Sequence, residues 1–151
     1  FGVLTQVACH VGRPSMPISG VEVGRIVAPA AEPGLADSLR SGLSAALAAK
    51  GVHGADGSER VEVVVQTATT RPTAVGSQQQ IHTAHLVIMV RVFGSTPREA
   101  LLSDERSYPL DARDSLATAS ARASAFDDLA RSLTQDAASW IVYGPRPQPK
   151  E

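Results

Sequence analysis

The positions of hydrophobic residues in the first third of the chain predict a strand followed by a helix. The segment from Val21 to Ala28 is rich in β-branched residues and is followed by Pro29, which is typical of a strand and its end. Leucines then recur every four residues on an alanine-rich stretch that Gly51 closes, and this pattern predicts a helix with a narrow apolar stripe. The stripe consists of Leu35, Leu39, Leu43 and Leu47.

Three further segments have the composition of strands. Arg60 to Thr69 contains a run of valines, and Gln78 to Phe93 gives the strongest strand signal in the chain. Ala100 to Tyr108 follows a turn at Gly94 to Pro97 and predicts a fourth strand. Between the second and third strands, Pro72 to Ser77 is expected to form a loop or hairpin connection.

A long final helix is predicted from about Ser115 to Val142, where apolar residues fall at helical spacings. Asp114 or Ser115 can cap its start. The order β-α-β-β-β-α predicts an α+β two-layer sandwich, in which a four-stranded mixed or antiparallel sheet carries two helices on one face. We expect residues 1–17 to be an N-terminal arm or linker, residues 18–143 a single domain and residues 144–151 a proline-rich tail.

The third predicted strand is apolar on both of its faces. Leu86, Ile88 and Val90 point to one side of the strand, whereas Val87 and Met89 point to the other. A second face in contact with water would alternate polar and apolar residues, so we expect something to cover it. The cover is either the N-terminal arm or a loop of the chain itself, or a partner protein or acyl chain that docks on Val87 and Met89.

Composition and charge narrow the classes of function. The 151 residues include 14 basic and 15 acidic side chains, and a net charge of -1 provides no broad basic field for nucleic acid. His82 and His85 stand three apart on a strand, so they point to opposite faces and do not converge on one metal ion. We predict a binding protein with no catalytic residues, no metal and no cofactor, because an enzyme needs titratable groups clustered in a pocket.

Four residues are candidates for contact with lipid. Cys9 is the only cysteine, and the stretch that begins at Phe1 is similar to the end of a secretory signal that leads to a lipid-accepting cysteine. The alternative for Cys9 is an extended arm with a free thiol. Arg71, Arg91 and Arg98 lie in or near the strand connections and are candidates for contact with headgroup phosphates, with scattered surface arginine as the alternative.

Several short motifs accompany this order of elements. The first strand opens with Gly20 and ends at Pro29, and a segment Glu-Pro-Gly-Leu from Glu32 then opens the leucine-striped helix. Together with the return strand Leu101 to Tyr108 and the final-helix segment Ala121 to Ala130, these motifs resemble the LptE family of lipopolysaccharide-assembly lipoproteins. The resemblance covers roughly residues 18–142.

The resemblance implies a lipoprotein on the periplasmic side of the outer membrane, with Cys9 as its lipid anchor. Such a protein plugs a β-barrel translocon of the LptD type and assists lipopolysaccharide assembly, and lipopolysaccharide itself is an expected ligand. Other envelope lipoproteins of the transport-auxiliary, synthase-activator or secretion-pore type share a β-α-β opening, so these classes remain open. In each case we expect a charge at Val87 or Met89 to weaken partner binding more than folding.

Overall fold

The computed structural model of the protein describes residues 20–54, 59–75, 80–94 and 96–144. Within these residues the chain forms four strands and two helices in the predicted order. The strands are β1 (Val21–Val27), β2 (Glu59–Val75), β3 (Gln80–Phe93) and β4 (Arg98–Leu110), and the helices are α1 (Leu35–Ala49) and α2 (Ser115–Tyr143). The predicted arm at residues 1–17 and residues 145–151 of the predicted tail lie outside the described residues.

The four strands form one mixed sheet in the order β1-β2-β3-β4. β1 pairs with β2 in parallel, from Val21 opposite Glu59 to Val27 opposite Val64, and α1 provides the crossover that a parallel pair requires. β2, β3 and β4 follow one another as antiparallel neighbours. The predicted fold class, an α+β sandwich with a mixed four-stranded sheet and two helices on one face, is confirmed.

The core lies between the two helices and one face of the sheet. β3 contributes Leu86, Ile88 and Val90 to it, each with no exposed surface. Burial of one such aliphatic side chain stabilises a fold by about 1.5–3 kcal/mol. The helices contribute the leucine stripe predicted for α1 and one face of α2, whose large buried side chains are Phe126, Leu129, Leu133 and Ile141.

The two helices approach each other closely at Gly42 of α1. A Cβ atom at Gly42 would lie 2.6 Å from Thr134 Oγ1 of α2, which is closer than a Cβ atom comes to a non-bonded atom. Thr134 is held in place, because it is 1% exposed and its Oγ1 donates a hydrogen bond of 2.7 Å to the Ala130 carbonyl. Close packing therefore explains a glycine within a helix, where glycine is otherwise unfavourable.

The start of α2 is capped as the sequence predicts. The Asp114 side chain accepts a hydrogen bond of 2.9 Å from the Ala117 main-chain N–H, in the manner of an N-cap. α1 begins differently, because Gly34 precedes it in a left-handed conformation (φ 83°) with no side-chain cap. Only glycine adopts that conformation readily, so Gly34 sets the direction in which the chain enters α1.

β2 is longer than the sequence predicts, so the expected loop at Pro72 is wrong for the segment from Pro72 to Val75. A proline is unusual inside a sheet because it has no N–H for the hydrogen-bond ladder. Here it is tolerated because β1 pairs with β2 only as far as Val64, which leaves the far half of β2 at an edge of the sheet. A shift in the pairing of β2 with β3 follows directly after Pro72.

Candidate functional site

The face of the sheet away from the helices, called the open face below, is the candidate functional surface. The structure places Val87 and Met89 on this face, because the alternate residues Leu86, Ile88 and Val90 face the helices and are fully buried. Val87 and Met89 themselves are only partly buried. The two side chains identified from the sequence therefore lie together on one surface.

An apolar row crosses the open face from one side of the sheet to the other. Strand pairing places Val27 opposite Val64, Val64 opposite Met89, and Met89 opposite Leu101, so each strand contributes one member. The row spans three inter-strand spacings, which is roughly 14 Å. Leu101 is 62% exposed and Val27 is 36% exposed, so the ends of the row are in contact with solvent. Val87 extends the row along β3 beside Met89.

Ion pairs border the apolar row on the side toward the start of β2. Arg60 lies 3.5 Å from Glu62, and Arg91 lies 3.4 Å from Glu99, measured between guanidinium nitrogen and carboxylate oxygen. The Arg60 guanidinium also lies over the Phe93 ring, 5.6 Å from its centroid. Exposed pairs of this kind contribute about 0–1 kcal/mol to stability, so their main effect is to border the apolar row with charge.

Hydroxyl groups and one ion pair occupy the opposite side of the row. Arg71 lies 3.1 Å from Glu105. The Thr83 hydroxyl is hydrogen-bonded at 3.1 Å to Ser107 and at 3.1 Å to Thr73, so the three hydroxyls form a chain across β2, β3 and β4. The open face therefore carries polar groups toward both of its ends, where Phe93 and Ile81 are also exposed, and it is apolar across its middle.

The structure does not bring the three candidate arginines together. Arg71 and Arg91 lie on the open face at opposite borders of the apolar row, and each has a carboxylate partner, Glu105 and Glu99 respectively. Arg98 lies on the opposite side of the sheet, beneath the end of α2. Contact of these side chains with a lipid headgroup stays a prediction.

Arg98 is bound within the protein. One guanidinium nitrogen, Nη2, donates a hydrogen bond of 2.7 Å to the Ile141 carbonyl in the last turn of α2 and lies 3.6 Å from Glu59 Oε2. The guanidinium also lies 5.6 Å from the centroid of the Trp140 ring. Glu59 is 6% exposed, which the sequence analysis missed. The alternation of the strand indicates this burial, because Glu59 lies on the same face as the buried residues Val61 and Val63.

The remaining candidates from the sequence are separated from one another. His82 pairs across the sheet with Tyr108, whose ring centroid is 5.9 Å away, while His85 lies opposite Glu105 on the other face of β3. Within residues 20–54, 59–75, 80–94 and 96–144, no three His, Cys, Asp or Glu side chains are grouped as a metal site. The same residues contain no helix long and apolar enough to span a membrane. Cys9 lies outside the described residues.

A groove of about 850 Å³ runs between α1 and α2 on the far side of the molecule from the open face. Its apolar lining consists mainly of alanine methyl groups, including those of Ala45, Ala46 and Ala49. Ser38 donates a hydrogen bond of 2.6 Å to Asp127 within it. The large exposed apolar side chains of the open face, such as Leu101, have no counterpart among these lining residues.

Known proteins resemble this chain in structure rather than in sequence. Neither a family model nor a curated protein sequence matches it. A minor lipoprotein from Acinetobacter baumannii superposes with a TM-score of 0.61 at 17% identity, covering 87% of this chain and 98% of that one. A protein of the DUF330 family from Xanthomonas campestris superposes with a TM-score of 0.59 at 14% identity, covering 86% and 88% of the two chains. The chain thus has a fold that occurs among bacterial lipoproteins.

Proposed function

We propose that this chain is a non-catalytic envelope lipoprotein that binds and plugs an outer-membrane β-barrel translocon and assists lipopolysaccharide assembly. The observation that carries the proposal is the open face, where the row Val27, Val64, Met89 and Leu101 crosses all four strands without a helix over it. Both helices of the described residues pack on the other face. Among the residues that the structure describes, nothing covers the open face, so there it is available to a partner protein.

The distribution of polarity on the open face suits a protein partner. Burial of an exposed aliphatic side chain such as Leu101 contributes about 1.5–3 kcal/mol, and the bordering charges supply orientation more than affinity. An interface with an apolar centre and a polar rim has the same distribution.

The motifs support the identity of the partner, and the fold supports the lipoprotein class alone. The motifs from Gly20 to Leu35 resemble the LptE family, whose members plug an LptD-like barrel. The fold, in turn, is found in a bacterial lipoprotein that it matches over 98% of that protein's length. A lipid anchor at Cys9 and a position on the periplasmic side of the outer membrane belong to the same proposal.

The proposal is tested by affinity purification of the tagged chain from native outer membranes in mild detergent. We expect one large β-barrel protein in about equal molar amount, together with lipopolysaccharide. The matched variants are Met89→Glu on the open face and Ala45→Glu in the groove between the helices. The open-face variant should lose the barrel, whereas the groove variant should retain it.

The alternative function is a subunit of a different envelope assembly, of the transport-auxiliary, synthase-activator or secretion-pore type. The β-α-β opening, which such proteins share, keeps this alternative open because a fold alone does not fix a function. Recovery of a transporter or a synthase in equal amount, or of a ring of identical copies, would replace the barrel proposal with this one.

A further inference from the structure

The sheet has three stretches of free edge among the described residues, and they differ in how their main chain is protected. The first is the outer edge of β1, the second is the outer edge of β4, and the third is β2 beyond Val64, where β1 has ended. Free edges expose N–H and C=O groups that can pair with another strand, and proteins usually protect them with charges, prolines or irregular pairing.

The edge of β1 is protected by α1. Two guanidinium nitrogens of Arg40 donate hydrogen bonds to main-chain carbonyls of β1, at 3.4 Å to Val23 and at 2.9 Å to Gly24. The pairing of β1 with β2 also shifts between Val23 and Ile26, so β1 is irregular at this point. An incoming strand would have to displace Arg40 and adapt to the irregularity.

The edge of β4 is protected by charge. The Asp104 carboxylate accepts a hydrogen bond of 2.8 Å from the Glu105 main-chain N–H and a second one of 3.0 Å from the Ser132 hydroxyl of α2. Exposed charges at Glu99 and Arg106 lie on the same strand. These features are those by which natural edge strands avoid pairing.

Within the third edge, the segment Gln66 to Thr70 on β2 has neither kind of side-chain protection, although its pairing with β3 shifts at Gln66 and Arg71 and Pro72 follow it directly. It contains no charged residue and no proline, and no side chain in the described part of the chain hydrogen-bonds to its main chain. Its residues from Thr67 to Thr70 are in regular register with β3, between one shift after Val65 and another after Pro72. Three of its five residues are threonine, which favours extended structure.

We infer that Gln66 to Thr70 is a strand-addition site, and that its occupant is an extended segment of the same partner that covers the open face. The inference rests on the proposed function. A row of outward N–H and C=O groups is matched in full only by another extended main chain. A pair of copies joined by five residues would bury far less than the roughly 1,200–2,000 Å² of a stable interface, so the edge needs a partner that binds elsewhere too.

Continuity with the open face provides that second contact. Val64 belongs to the apolar row and lies two residues before Gln66 on the same strand. A strand added beside Gln66 to Thr70 would lie directly beyond the end of β1, in line with the sheet. One partner can therefore cover the apolar row and extend the sheet at the same time.

The test exploits the fact that strand addition depends on the main chain. Successive residues of a strand point their N–H groups to opposite sides. Thr69→Pro and Thr70→Pro therefore form a pair of variants. One of them lacks an N–H on the free edge, called the outward variant, and the other lacks an N–H directed at β3. The outward variant should keep the thermal midpoint of unfolding of the wild type and lose barrel recovery by roughly tenfold or more. Thr69→Ala and Thr70→Ala, which keep every N–H, should recover the barrel as the wild type does.

Hydrogen exchange provides a readout that does not depend on these variants folding. Some amides of Gln66 to Thr70 should exchange rapidly in the purified chain. In the chain purified with its barrel, the exchange rate of these amides should fall to roughly one tenth or below. Equal exchange rates, or full barrel recovery by the well-folded proline variant, would overturn the strand-addition site and leave the proposed function intact. Absence of the barrel from the wild-type preparation would overturn the proposed function itself, and the strand-addition inference with it.

Discussion

Arg98 and Glu59 form an ion pair of 3.6 Å at one end of the sheet, under the last turn of α2. Arg98 also donates a hydrogen bond to the Ile141 carbonyl at 2.7 Å, so a single guanidinium joins β2, β4 and α2. Because helix carbonyls at a C-terminus carry partial negative charge, Arg98 is attracted by both of its partners. This side chain therefore fixes the end of α2 on the sheet.

Replacement of Arg98 by alanine should destabilise the protein strongly. The change leaves the Glu59 carboxylate buried without a counter-charge, which costs about 3 kcal/mol of unfolding free energy. The control is Arg91→Ala, whose pair with Glu99 is exposed and contributes about 0–1 kcal/mol. Urea denaturation measures both, and equal losses would show that the burial of Glu59 has no special effect.

A second change separates the buried charge from the lost contacts. In the Arg98→Ala protein, the further change Glu59→Gln removes the uncompensated charge. The double variant should therefore be more stable than Arg98→Ala alone, whereas Glu59→Gln by itself should destabilise the wild type. A double variant less stable than either single one would contradict the pairing of these two side chains.

Alanine at position 42 should destabilise the protein although alanine is the better helix former. The new Cβ would meet Thr134 Oγ1 at 2.6 Å, and crowding of this kind costs about 1–3 kcal/mol. In a Thr134→Ala background the hydroxyl is absent, so Gly42→Ala should become neutral or stabilise by up to about 1 kcal/mol. Thermal unfolding of the four proteins measures the coupling, and additive effects would contradict it.

A charge on one face of β3 should prevent folding, whereas a charge on the other face should weaken partner binding. Ile88→Glu places a carboxylate in the core at a residue with no exposed surface, and we expect it to prevent folding. Met89→Glu places the same group on the open face, where we expect a stability change below about 1.5 kcal/mol and a loss of partner binding of roughly tenfold or more. Circular dichroism reports the first effect and barrel recovery the second. Equal damage to folding by both variants would make the open face part of the core.

The headgroup hypothesis predicts the sign of a change in lipid binding. Glu99 and Glu105 pair with Arg91 and Arg71, so Glu99→Gln and Glu105→Gln should free guanidinium groups for phosphate. Binding to phosphatidylglycerol vesicles should rise more than in Asp37→Asn, an exposed change of equal charge on α1. The gain should fade at high salt because it is electrostatic. A rise no greater than that of the control would remove Arg71 and Arg91 as headgroup contacts.

The elements of this fold could be predicted largely from local patterns. The leucine stripe predicts α1, the alternation around Ile88 identifies β3 and both of its faces, and Asp114 marks the start of α2. These signals are local, because period and capping depend on residues close in sequence. β2 is longer than predicted because a proline such as Pro72 ends a strand only where a neighbouring strand needs the N–H that proline lacks. Whether β2 has such a neighbour depends on where β1 ends.

The candidate site could be predicted only in part. Val87 and Met89 were identifiable because one strand carries apolar residues on both faces. Val27, Val64 and Leu101 join them through the pairing of neighbouring strands, and that register depends on contacts between distant segments. The sequence alone therefore identifies the strand that carries the surface, but it does not show how far the surface extends across the sheet.

The central claim is that the partner binds the open face, and site-specific photocross-linking in living cells tests it most directly. A photoreactive phenylalanine analogue placed at Met89 or Leu101 should cross-link to a single β-barrel protein of the outer membrane. The same group at Ala45, in the groove between the helices, should not. Cross-links to the barrel from Ala45 with none from Met89 or Leu101 would contradict the account, because the partner would then bind the helices instead of the sheet.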